Sequence, residues 1–108
     1  MTRSELIALI ESVIEELDNL GAGMPAGDAR TELDQLRDQL SDQQLRLIEA
    51  NFNENTAAFQ NATAQLAAIN RDLKVTISEI DKVVETIANL TRFIAAVDQV
   101  LTAIGAVV

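Results

Sequence analysis

Residues 59–108 read FQNATAQLAAINRDLKVTISEIDKVVETIANLTRFIAAVDQVLTAIGAVV, and their periodicity decides the fold. An apolar residue returns at alternating steps of three and four: Phe59, Ala62, Leu66, Ile69 and Leu73, with Thr76 as the one polar member. The series continues through Ile80, Val83, Ile87, Leu90, Ile94, Val97, Leu101, Ile104 and Val108. One register held over about seven heptads describes an apolar seam along an α-helix. Neither Gly nor Pro interrupts the chain from Thr56 to Ile104, so the spacing predicts one continuous helix over about 57–106. Such a helix would be ~75 Å long at ~1.5 Å per residue. Its weakest point is Asn70-Arg71-Asp72, where Asp72 has the chemistry of a helix N-cap, but the register passes through without a change of phase.

The residues beside the seam are informative. A two-stranded zipper carries charges there to set its pairing, whereas Ile77 and Val84 line one side and Phe93, Val100 and Val107 the other. The apolar face therefore widens toward the C-terminus, as on a helix with two or more neighbours. No charge follows Asp98. The candidate interaction residues are Ile80, Val83, Val84, Ile87, Leu90, Phe93, Ile94, Val97, Val100, Leu101, Ile104, Val107 and Val108. Leaving four or five of them in water would forfeit on the order of 10 kcal/mol, at ~1.5–3 kcal/mol per buried aliphatic or aromatic side chain. The sequence predicts that oligomerisation or a protein partner covers them.

Upstream, Thr2 and Glu5 have the spacing of a capping box, in which two side chains satisfy each other's orphan backbone N–H groups. Leu6, Ile10, Val13, Leu17 and Leu20 then mark an amphipathic helix over about 3–20. A loop at 21–27 follows, with Gly21 as its left-handed terminator and Pro25 as a breaker. Its glycines lack the spacing and the lysine of a phosphate-binding loop. Asp28 is the expected N-cap of a second helix over about 29–50. There Leu33, Leu36, Leu40 and Leu47 share one register, while Leu45, Ile48 and Phe52 share another. Either a stutter near Ser41–Gln44 or a turn in the asparagine-rich segment 51–55 reconciles them, and the turn is favoured. The fold class expected is all-α: an antiparallel helical hairpin or bundle with one long, coiled-coil-like C-terminal helix, in a single domain of 108 residues.

Composition narrows the function. There is no histidine and no cysteine, which removes histidine acid–base catalysis, serine triads, thiolate nucleophiles and zinc-thiolate sites. Asp34, Asp38 and Asp42 fall on one helical face, a pattern read as a solvated surface rather than a cation site. No catalytic, cofactor-binding or metal residue is assigned, and the chain is not expected to be an enzyme. The net charge is −9, with twelve acids against four arginines in residues 1–56. Such a surface is repelled by nucleic-acid phosphates and by anionic lipids. The N-terminus carries an early acid and lacks the basic region and apolar core of a signal peptide, so a cytoplasmic location is expected, with signal-independent export left open. The function expected is that of a non-enzymatic interaction or assembly protein: a small scaffold, adaptor or accessory subunit. The alternative is a membrane-active protein, pore-forming or lipid-binding, that uses segment 93–108.

Overall fold

The computed structural model describes residues 1–105, and these are all-helical. Four helices follow in order: α1 (Arg3–Ala22), α2 (Asp28–Glu49), α3 (Ala57–Thr76) and α4 (Val83–Ala103), with a short 3-10 turn at Ile80–Lys82 before α4. The expected single helix over 57–106 is therefore two helices, and this is the main correction to the sequence reading. The break falls at Ile77-Ser78-Glu79, not at Asn70-Arg71-Asp72, which stays helical.

Two physical reasons favour the break. Val75-Thr76-Ile77 is a run of β-branched residues, each restricted at χ1 in a helix and so less favourable there. The second reason is larger. Interrupting a helix forfeits about four backbone hydrogen bonds at a net ~1 kcal/mol each. Some of these are remade in the turn, where the Glu79 N–H donates to the Thr76 carbonyl at 3.0 Å and the Lys82 N–H donates to the Glu79 carbonyl at 3.1 Å. In return α4 folds back and fully buries Leu90, Phe93, Val97, Val100 and Leu101, each to 1% exposure or less. At ~1.5–3 kcal/mol per side chain, that burial outweighs the lost bonds.

Side-chain ties fix the relative directions of the helices. Arg37 bonds Asp18 while Gln44 bonds Glu11, so α1 and α2 are antiparallel. Thr86 bonds Thr76 and Arg92 reaches Asp72, so α3 and α4 are antiparallel too. The N-terminal ammonium bonds Gln60 near the start of α3, and Lys74 near its end bonds Ser12 and Glu16, so α1 and α3 run parallel. It follows that α2 and α4 are parallel, and these two are in close backbone contact. The fold is thus two αα-hairpins packed side by side. Their link, Ala50–Thr56, crosses one end of the bundle diagonally and lays Phe52 against Phe59, ring centroids 5.2 Å apart. The molecule measures 42 × 23 × 18 Å, far shorter than a 50-residue rod.

Local expectations met the structure unevenly. The capping box at Thr2 and Glu5 is formed. Gly21 does not terminate α1: it is helical and buried, and α1 ends one residue later at Ala22. Asp28 is not a cap either. Gly27 holds the N-cap position and Asp28 is the first helical residue. α2 runs through Ser41–Gln44 without interruption and ends at Glu49, just before the asparagine-rich segment.

Two predictions follow from these arrangements. Spin labels at Ala64 and Gln99, both exposed, should lie within a few times the ~8–10 Å interaxial distance of packed helices. A straight helix would place them ~50 Å apart at ~1.5 Å per residue, a difference that a dipolar distance measurement resolves at once. The second concerns pH. Hydrogen bonds from the Thr2 backbone and hydroxyl hold the Glu5 carboxyl below its ordinary value of 4.5. Because the folded value is the lower one, the capping contribution is complete above that ordinary value and vanishes as pH falls through the depressed one. Amide resonances of the first turn of α1 should follow this titration, and Glu5→Ala should abolish it.

Candidate interaction surface

The thirteen seam residues are not equally buried. Leu90, Phe93, Ile94, Val97, Val100 and Leu101 lie in the core, packed with Leu6, Ile10, Val13 and Leu17 of α1 and with Leu33, Leu40 and Leu47 of α2. They are therefore not available as an interaction surface in this fold. The reversal at the turn halves the length of seam to be covered, and α3 covers much of it. Val83, Ile87 and Ile104 are partly buried against the same core. Ile80 and Val84 remain exposed. Val107 and Val108 lie outside the described residues.

Among the described residues, five large apolar side chains stand in solvent: Leu45 at 52%, Ile48 at 48%, Val75 at 67%, Ile80 at 51% and Val84 at 80%. Leu45 and Ile48 belong to the second register of α2, which the bundle leaves outside. The other three fall within ten residues around the α3–α4 turn. The sequence did contain a signal for them. Three β-branched residues in a row before Ser78 weaken a helix, Val75 falls off the seam register, and Val84 is an apolar neighbour of the seam.

Beside this turn is a cavity of ≈ 210 Å³ lined by Glu16, Asn19 and Leu20 of α1 and by Ile77, Ser78 and Ile80. Leu20 and Ile77 are buried, so its floor is apolar. Ile80 leans on Gly23, where an added Cβ would come within 3.0 Å of the isoleucine Cδ1. The Glu16 carboxylate is engaged by Lys74, to which Ser12 also bonds. Around the turn, Lys82 pairs with Glu79 at 3.0 Å, and that bond, with the fields of Asp81 and Glu85, raises the ammonium above its ordinary value of 10.5. Neither Asp81 nor Glu85 enters an ion pair among the described residues.

A second, polar groove of ≈ 250 Å³ runs between α2 and α4, lined by Gln39, Asp42, Gln43, Arg46, Ile94 and Asp98. Gln43 occupies a core position between Leu40 and Leu47, where the register calls for an apolar residue, and is 4% exposed. Its Nε2 donates to the Ile94 carbonyl at 3.0 Å and to the Asp98 carboxylate at 2.8 Å. Its Oε1 is buried without a donor. Asp42 is paired with Arg46 and Asp38 lies beside Arg37, so the acidic face of α2 is partly neutralised by its own arginines. No three Asp or Glu side chains converge as metal ligands among the described residues.

Comparison with known protein families, with curated proteins and with solved structures found no match. Among the described residues, no helix is long and apolar enough to cross a membrane.

The orphaned oxygen of Gln43 gives a stability prediction. Gln43→Leu keeps a similar volume, removes the unpaired acceptor and releases Asp98 to water. The urea midpoint should rise by the equivalent of ~1 kcal/mol with the slope unchanged. A fall would mean that the bond to Asp98 outweighs the orphan.

Proposed function

We propose that this chain is a non-enzymatic interaction protein, a small scaffold, adaptor or accessory subunit, that binds another protein chain through the apolar surface at its α3–α4 turn. The observation that carries this reading is the concentration of Val75, Ile80 and Val84 around one turn, next to a cavity floored by Leu20 and Ile77. Single exposed apolar residues are ordinary on soluble proteins, whereas three within ten residues around one turn, with an apolar hollow beside it, favour a contact surface. Of the described seam residues, Ile80 and Val84 are the exposed ones, so the proposed contact is at this end of the seam. The partner is a second copy of the chain or a different protein. Oligomerisation into a coiled coil is the stronger form of the proposal and would place a partner helix along Ile80, Val84 and Ile87.

The neighbouring chemistry supports binding over catalysis. The carboxylates nearest the two hollows are engaged: Glu16 by Lys74, Asp42 by Arg46 and Asp98 by Gln43. The acids around the turn also disfavour nucleic acid and anionic lipid as partners. The membrane-active alternative would require Phe93, Val97 and Leu101 to leave the core, forfeiting the burial that sustains the hairpin.

A photo-crosslinking residue placed at Val84 in the producing cell tests the proposal, with the same residue at Asp38 as control and light scattering of the purified chain alongside. Protein adducts are expected from position 84 and not from position 38. A compact monomer that yields no adduct from either position would overturn the reading.

A further inference from the structure

We infer that the cavity between the end of α1 and the α3–α4 turn, with Ile80 and Val84 beside it, receives a basic amphipathic helix of another protein, which inserts one apolar side chain between Leu20 and Ile77. This rests on the interaction function proposed above and specifies the partner's chemistry. The size of the cavity is the first argument. An apolar cavity of about 150 Å³ holds a benzene ring. At ≈ 210 Å³, this one has room for a Leu or Phe side chain entering past Ile80. Val84, in the first turn of α4, is a second exposed apolar side chain close in the chain to Ile80, and a helical ligand supplies two apolar anchors at i and i+4.

Charge is the second argument, and it selects the sign of the ligand. Two helices, α1 and α3, end at this place and α4 begins there, so the helix poles offset one another and the side chains set the field. Lys74, in the last turn of α3, is spent on Glu16. Around the turn, Glu79, Asp81 and Glu85 face a single cation, Lys82. An apolar hollow inside a negative field fits a ligand that carries apolar anchors flanked by Lys and Arg. A second copy of a chain with net charge −9 would bring like charge against like at this rim. A vesicle with anionic headgroups would do the same.

The test uses the full chain and a labelled 18-residue amphipathic helical peptide of Leu and Lys, read by fluorescence anisotropy, with a Leu/Glu peptide of the same pattern as control. The Leu/Lys peptide should bind, and Ile80→Ser with Val84→Ser should weaken it at least tenfold. Both residues are exposed, so the fold should survive, as circular dichroism can verify. Leu45→Ser with Ile48→Ser should leave binding unchanged. Asp81→Asn with Glu85→Gln should weaken it severalfold at low salt and less at high salt. Equal binding to every variant would reveal diffuse attraction to an acidic surface and overturn the inference. Tighter binding of the Leu/Glu peptide would overturn the charge argument and the inference with it. Self-association of the chain, lost in the Ile80→Ser/Val84→Ser variant, would overturn the heterologous helix yet leave the interaction function standing. Failure of every partner, including a second copy, to depend on Ile80 and Val84 would overturn both.

Discussion

The α3–α4 interface is the constraint from which the rest of the bundle follows. Once the chain reverses at Ile77–Glu79, the widening apolar face of α4 acquires α3 on one side and α2 on the other, and its core residues no longer need anything outside the chain. The reversal is held by small, specific contacts. Thr86 donates to the Thr76 hydroxyl at 2.9 Å in a buried position, and Thr76 bonds back to the Leu73 carbonyl at the end of α3. The polar residue in the seam thus serves the turn. It satisfies a partner across the hairpin as well as the backbone of its own helix.

Each neighbouring pair of helices carries a polar tie of this kind, superimposed on non-directional apolar packing. Arg37 and Asp18 join α1 to α2, Lys74 and Glu16 join α1 to α3, and Gln43 with Asp98 joins α2 to α4. On the surface such pairs contribute little energy. Their value lies in direction. Packing between leucine-rich helices tolerates sliding and inversion, whereas a Gln whose amide donates to both a helix carbonyl and a carboxylate can make the two bonds in one arrangement only.

How much of this was legible in the sequence depends on what periodicity can encode. The all-helical class, the amphipathic face of α1, the capping box at Thr2 and the end of α2 before Asn51 were readable, because each is a local consequence of residue type and spacing. The reversal at Ile77 was hidden. A register reports which residues face a core, and both α3 and α4 face the same one. The six residues from Ile77 to Lys82 happen to preserve the phase, so the seam reads as continuous across a turn that contains neither Gly nor Pro. Only the β-branched run before Ser78 betrayed it. The candidate surface suffered from the same blindness. Ile80 and Val84 were marked alongside Leu90 and Phe93, and nothing in their spacing could separate residues beside the turn from those beneath it.

The diagonal link at Ala50–Thr56 has a consequence for how the molecule comes together. Each hairpin closes over only a few residues, so chain entropy opposes its formation weakly. The contacts that unite the hairpins are longer in range, and the link holds the two halves at a high effective concentration. In topology the globule is an intramolecular dimer of hairpins, with a seven-residue tether in place of the collision between separate chains.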